Sequence, residues 1–185
     1  MSGSSSRTSP TSRAWSRLEP LRETSATRRS AIFYAAAVAL GVALLGGLAT
    51  ELGPWYEALR KPAWQPPDWL FAPAWTLIYA CAAMAAVEGW LRAPDAVRRR
   101  ELVELFLLNG SLNVLWSILF FRLRRPDWAL LEVGALWLSI LVLLLLVRRY
   151  SRPSVWLLLP YLGWVGFAAV LNLAIVERNG PFGGP

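Results

Sequence analysis

KPAWQPPDWLFAPAWTLIYACAAMAAVEGWL, from Lys61 to Leu91, joins two unlike halves. Its first ten residues hold three prolines and two tryptophans. The 21 that follow, Phe71–Leu91, form an apolar run broken by a single charge, Glu88. A hydrocarbon core of about 30 Å takes roughly 20 apolar residues as a helix. The second half therefore reads as a membrane-crossing helix, and the first as a stiff aromatic loop at its edge. Four further runs have the same character: Ala31–Ala49, Leu102–Phe121, Trp128–Val147 and Val155–Val176. The expected fold is all-α, a polytopic membrane protein built as a bundle of five transmembrane helices.

The composition agrees: 56% of the 185 residues are hydrophobic and only 17% charged, with mean hydropathy +0.41. A soluble domain of this length carries more charge and shorter apolar runs. The net charge of +7 would point to nucleic acid in a soluble chain. Here the basic residues crowd into the tail and loops, where they orient the chain and meet headgroups, so no nucleic-acid partner is expected. Thirteen of the 19 Lys and Arg fall in the tail, the 92–100 loop and the 148–153 loop. This bias places the N-terminus on the cytoplasmic side, although FRLRRPD at 121–127 pulls the other way. There is no histidine, which removes the commonest general base, metal ligand and haem axial ligand. The single cysteine, Cys81, lies inside a span and leaves no intrachain disulfide or cysteine-based metal site.

Three segments follow. Residues 1–30 are rich in Ser, Thr and Arg, bury too little to fold alone and are expected to be a disordered tail. Their composition also resembles a transit peptide, but the segment has no h-region of a secretory signal. Residues 31–179 form the five-helix domain, and 180–185 a short C-terminal tail. Of the loops, only the first, about 20 residues long, exceeds a simple connection. Prolines 54, 62, 66 and 67 remove its freedom, and Trp55, Tyr56, Trp64 and Trp69 offer rings to bury. It reads as an ordered lid over one mouth of the bundle.

Within the spans, Ala35, Ala39, Ala43 and Gly47 make a small-residue stripe that lets another helix come close. Trp90, Trp128 and Trp156 sit at span ends, where interfacial aromatics are ordinary. Asn109 and Asn113 are one turn apart and share a face, with Trp116 on the next turn. They serve either as interhelical glue, the plainer role, or as polar points in a pocket, and Asn172 poses the same choice. Pro160 breaks the ladder of the fifth span one residue before Tyr161, which is expected to open a local kink. Asn109, Asn113, Trp116, Tyr161 and Trp164 together have the makeup of a small-molecule site. Glu132, one turn inside the fourth span, is expected to snorkel to the interface. No phosphate loop, nucleophile motif or paired carboxylates occur.

WYEALRKPAWQPPDWLFAPAWTLIY, LNGSLNVLWSILFF and PYLGWVGFAAVLN closing on ERN, in this order, resemble the TspO/MBR family of tryptophan-rich sensory and translocator proteins. The likeness runs from about residue 31 to 179. It implies a homodimer whose pocket, under the first loop, binds tetrapyrroles such as protoporphyrin IX or haem, with no obligatory cofactor. Carried over, the ligand-binding residues are Trp55 and Tyr56 of the lid, and Trp75 and Tyr79 of WTLIY. Asn109, Asn113 and Trp116 follow from the third span, and Trp164, Ala168 and Leu171 from the last. Tyr161 joins them from the reading above. The alternatives are a light-dependent porphyrin-degrading enzyme, with Trp75 and Trp164 as redox partners, and a sterol or lipid carrier. Sterol-linked members usually carry tyrosine after LN of the last span. Leu173 and Ala174 stand there instead, which counts against sterols. A bacterial envelope membrane is favoured over an organellar one.

Overall fold

The computed structural model describes the backbone of residues 10–182 and the side chains of residues 25–182. Within them the chain is helical, with five helices long and apolar enough to cross a membrane. They are α1 (Pro10–Ala49), α3 (Phe71–Arg92), α4 (Ala96–Ser117), α5 (Pro126–Val147) and α6 (Arg152–Asn179). A short helix, α2 (Pro54–Ala58), and a 3₁₀ turn, Asp68–Leu70, lie in the first loop. The tail expected to be disordered lies outside the described residues as far as Ser9. From Pro10 onward its backbone is the start of α1, so residue 30 marks no helix boundary.

The helix ends follow local chemistry. Asp95 caps α4 by accepting from Arg98 N, and Ser151 caps α6 by accepting from Ser154 N. Prolines at the first turns of α2, α5 and α6 forgo N–H groups that would have no helical partner. α6 runs through Pro160 without interruption, the proline itself being exposed. Past Ser117 the third span winds as a π-helix, Ile118–Arg122. The wider turn lets two consecutive rings, Phe120 and Phe121, both reach the interior, which an α-helical turn would set about 100° apart.

α3, α4, α5 and α6 build the core around Leu102, Leu136, Ile140, Leu143, Leu158 and Val165. Lipid tails are as apolar as leucine, so packing and polar links, rather than water exclusion, hold the helices together. Ser154 Oγ donates 2.9 Å to Ala85 O. Beside it, Gly89 brings α3 so close to α4 that a Cβ there would lie 3.0 Å from Leu102 Cδ2 and 3.5 Å from Ser154 Oγ. The Asn172 amide, oriented so that both ends are paired, donates to Pro126 O (3.1 Å) and accepts from Leu130 N (3.0 Å). That wedges α6 into the first turn of α5.

The basic residues of the fourth connection are engaged locally. Arg122 Nη2 donates 2.6 Å to Leu48 O at the end of α1. Arg125 pairs with Asp127, and its guanidinium lies 4.2 Å from the Trp128 ring centroid. These contacts help close the turn, where Arg124 takes φ 54°. Glu132 does not snorkel: it is buried, 9% exposed, and neither carboxylate oxygen has a hydrogen-bond partner. One turn inside α5, its side chain packs within the bundle instead of reaching the interface.

Replacing Gly89 by Val should cost about 1–3 kcal/mol by overpacking, read as a lower Tm in detergent. Gly134→Ala, with nothing within 4 Å of the new Cβ, should leave Tm unchanged or slightly raised.

Candidate functional site

The upper half of the bundle encloses a cavity of about 430 Å³ beneath the first loop. Three indoles, Trp75, Trp116 and Trp164, stand around it on α3, α4 and α6. Trp75 lies edge-on to Trp164, with ring centroids 6.4 Å apart, and stacks on Tyr79 at 5.4 Å. Trp116 stacks on Phe120 at 5.1 Å and meets Phe121 edge-on at 6.1 Å. Such ring pairs contribute about 0.5–1.5 kcal/mol beyond the area they bury and hold each other's planes. The Nε1–H groups of Trp116 and Trp164 are buried without an acceptor.

The floor is polar. Tyr79 OH donates 2.7 Å to Asn113 Oδ1, and Asn113 Nδ2 donates 3.4 Å to Tyr161 OH. Tyr161 OH donates 3.0 Å to Asn109 Oδ1, and Asn109 Nδ2 donates 2.8 Å to Ser139 Oγ. Ser139 Oγ ends the series on Leu136 O at 2.7 Å. Each side-chain group gives one proton to the next, and at the cavity wall the Tyr79 hydroxyl and Asn113 Oδ1 keep spare accepting capacity.

The lid is tied from both sides. Tyr56 OH donates 2.9 Å to Asp68 Oδ1, and Gln65 Nε2 reaches the same oxygen at 3.1 Å. Lys61 Nζ lies 3.6 Å from Asp68 Oδ2 and 3.6 Å from the centre of the Tyr56 ring. Burial, reinforced by the Asp68 carboxylate, pushes the Tyr56 phenol well above its ordinary value. At the far end the Asn179 amide clasps Arg60, accepting from its N (2.8 Å) and donating to its O (3.1 Å).

Eight of the eleven residues expected at the site line this cavity: Tyr56, Trp75, Tyr79, Asn113, Trp116, Trp164, Ala168 and Leu171. Trp55 stands behind the wall, edge-on to Phe120 at 6.2 Å. Asn109 and Tyr161 belong to the floor and face a second cavity on its other side. Lid rings differ from the expectation of burial: Tyr56 is buried and Trp64 packs on Phe167 at 5.9 Å, but Trp69 is 72% exposed. Asn109, Asn113 and Asn172 all act as interhelical glue, and Asn113 and Asn172 also face the cavity. The sequence reading missed Phe71, Phe120 and Phe121, and the α1 wall at Ala43, Gly46 and Gly47. The small-residue stripe was the signal for that wall: α1 packs closely on α3 and α4, as the stripe leads one to expect, and its Ala43 and Gly47 also face the cavity.

These same residues lie inside the stretch that links the chain to known proteins. The TspO/MBR family model matches residues 33–178. The chain belongs to the TspO/MBR family. It is 38% identical over 129 residues to the tryptophan-rich protein TspO of Chlorobaculum tepidum, covering 68% of this chain and 79% of that one. Identity to the TspO of Archaeoglobus fulgidus is 38% over 144 residues, 78% and 92% of the two chains. The translocator protein of Bos taurus is 32% identical over 152 residues, 76% and 89% of the two. Family and fold together make this a multi-pass integral membrane protein.

Because folding raises the Tyr56 pKa above the ordinary 10.0, its contribution to stability is complete below pH 10. It is lost progressively as pH rises toward the folded-state value. In detergent, Tm should therefore fall more steeply above about pH 10 in the native chain than in Tyr56→Phe. Parallel curves would mean that Tyr56 is not held neutral by the lid.

Proposed function

We propose that the upper cavity binds tetrapyrroles and that the protein acts in their sensing, transport or turnover. The observation that carries this reading is a cavity of about 430 Å³ walled by three indoles and three phenylalanines under a tied aromatic lid. That volume falls within the roughly 300–1,000 Å³ of small-molecule sites, where flat apolar walls give affinity and a few polar groups give orientation. A planar macrocycle presents two broad apolar faces to such walls. Its carboxylates would find acceptor-less indole N–H groups on Trp116 and Trp164, once those rings turn toward it. Several family relatives bear names that refer to sensing or translocation, which suits a binding role. The basic tail and loops favour an N-terminus in the cytoplasm, with the lid on the opposite side.

The donor set gives no reason for the iron complex to bind better than the free porphyrin. With no histidine in the chain, and the Tyr56 and Tyr79 hydroxyls held by Asp68 and Asn113, iron ligation adds little. Metal-free protoporphyrin IX should bind within a fewfold of haem. A large preference for haem would count against the stacking account.

The decisive experiment is a protoporphyrin IX titration of the detergent-purified protein in the dark, followed by tryptophan fluorescence. Quenching should saturate in the native chain and weaken in both Trp164→Phe and Asn113→Ala. Leaving one buried polar partner unpaired costs about 1–3 kcal/mol, so Asn113→Ala should weaken binding by at least several-fold. Quenching that does not saturate, or that ignores both changes, would remove the tetrapyrrole reading. Trp75 and Trp164 line the cavity and would lie beside a macrocycle bound in it. A new product spectrum formed only under light would assign turnover in place of binding alone.

A further inference from the structure

Below the polar floor lies a second cavity, about 680 Å³, between α1, α3 and α4. Alanines line it from two sides, Ala35 and Ala39 on α1 and Ala82, Ala83 and Ala86 on α3. Its inner end is shut at the level of Tyr79 and Tyr161. There Gly110 admits Val42 so closely that a Cβ at 110 would lie 2.8 Å from Val42 Cγ2. Its other end opens at Thr27, Ser30 and Trp90. From Tyr79 to Trp90 the slot runs about 16 Å at 1.5 Å per residue. That is half of a hydrocarbon core of about 30 Å. The slot thus reaches from one headgroup layer to the bilayer midplane and stops, which suits one leaflet's acyl chain. A transmembrane helix of a second copy would have to continue past the floor.

The rim adds a charge. Three arginines follow one another at the start of α4. Arg98 is paired with Glu101 and Arg100 with Glu104. Among the described residues, Arg99 has no ion pair. Its guanidinium lies 4.7 Å from the centre of the Trp90 ring, which lines the slot, and its Nε–H is buried without an acceptor. Arg28 and Arg29, exposed on α1, sit beside the lining residues Thr27 and Ser30. An unpaired guanidinium flattened on an aromatic at the mouth of an apolar slot is matched by a phosphodiester whose chain enters the slot.

We infer that this slot is a binding site for an anionic glycerophospholipid, with one acyl chain between α1 and α3 and its phosphate at Arg99. The inference stands independently of the tetrapyrrole reading, since the two cavities lie on opposite sides of the floor. The test is native mass spectrometry of the full chain. Detergent micelles would hold equal amounts of phosphatidylglycerol and phosphatidylcholine with the same acyl chains. The native chain should retain one lipid, with phosphatidylglycerol preferred about tenfold, the scale of one hydrogen bond to a charged group. Arg99→Gln should retain lipid without preference. Ala83→Leu, which fills the slot from α3, should retain neither lipid, and Ala39→Leu should do the same from α1 if the first variant fails to fold. Leu131→Ala, on the exposed face of α5, should behave as the native chain. Glycerol phosphate without acyl chains should not displace the lipid; displacement would make this a free-phosphate site and overturn the proposal. Equal retention of the two lipids by the native chain would also overturn it. So would a dimer that Ala83→Leu dissociates while lipid retention stays unchanged.

Discussion

An unpaired amide or hydroxyl in hydrocarbon costs several kcal/mol, and the middle of this bundle holds two phenols, two carboxamides and a serine. They are tolerated because they form one directed series from Tyr79 through Asn113, Tyr161 and Asn109 to Ser139 and a backbone carbonyl. The series draws one member or more from each of α3, α4, α5 and α6. It therefore fixes the rotation and depth of all four helices at once, which nonspecific packing of leucines in lipid does not. Tyr161, 2% exposed, is the hub, donating to one asparagine of α4 and accepting from the other.

The same series partitions the interior. Above it the helices splay around indoles and phenylalanines; below it they enclose a slot of alanines. α1 contributes no polar group to the series and is the least buried of the five spans. It serves as a wall to both spaces. At the level of the floor Val42 packs tightly against Gly110, and at its end Leu48 O accepts from Arg122.

The number and extent of the spans were legible because a bilayer imposes length and hydropathy on each one separately. So was the shared face of Asn109 and Asn113, because helical spacing alone sets it. What that face met was not legible: the same spacing serves glue and pocket, and the structure uses Asn113 for both. Phe120 and Phe121 were hidden for a different reason. Adjacent residues on an α-helix cannot share a direction, and nothing in ILFFR announces the π-turn that lets them do so. Glu132 was misread because position near a span end is a statement about reach, whereas its burial depends on how α5 is rotated against its neighbours.

The lid shows why so stiff a loop is needed. Its polar ties are few: the Tyr56–Asp68–Gln65 cluster, which closes the segment on itself, and the Asn179 clasp on Arg60 in its middle. A flexible loop of about 20 residues held at so few points would fluctuate widely. Prolines lower the conformational entropy that must be surrendered, so that a few hydrogen bonds suffice to hold one shape. The anchors are also polar and partly exposed, and each can exchange with water at small net cost. Stiffness within the segment combined with a single exchangeable polar clasp to α6 favours motion as a unit. A rigid flap of that kind can uncover the aromatic cavity without unfolding, and closing it again restores the same wall.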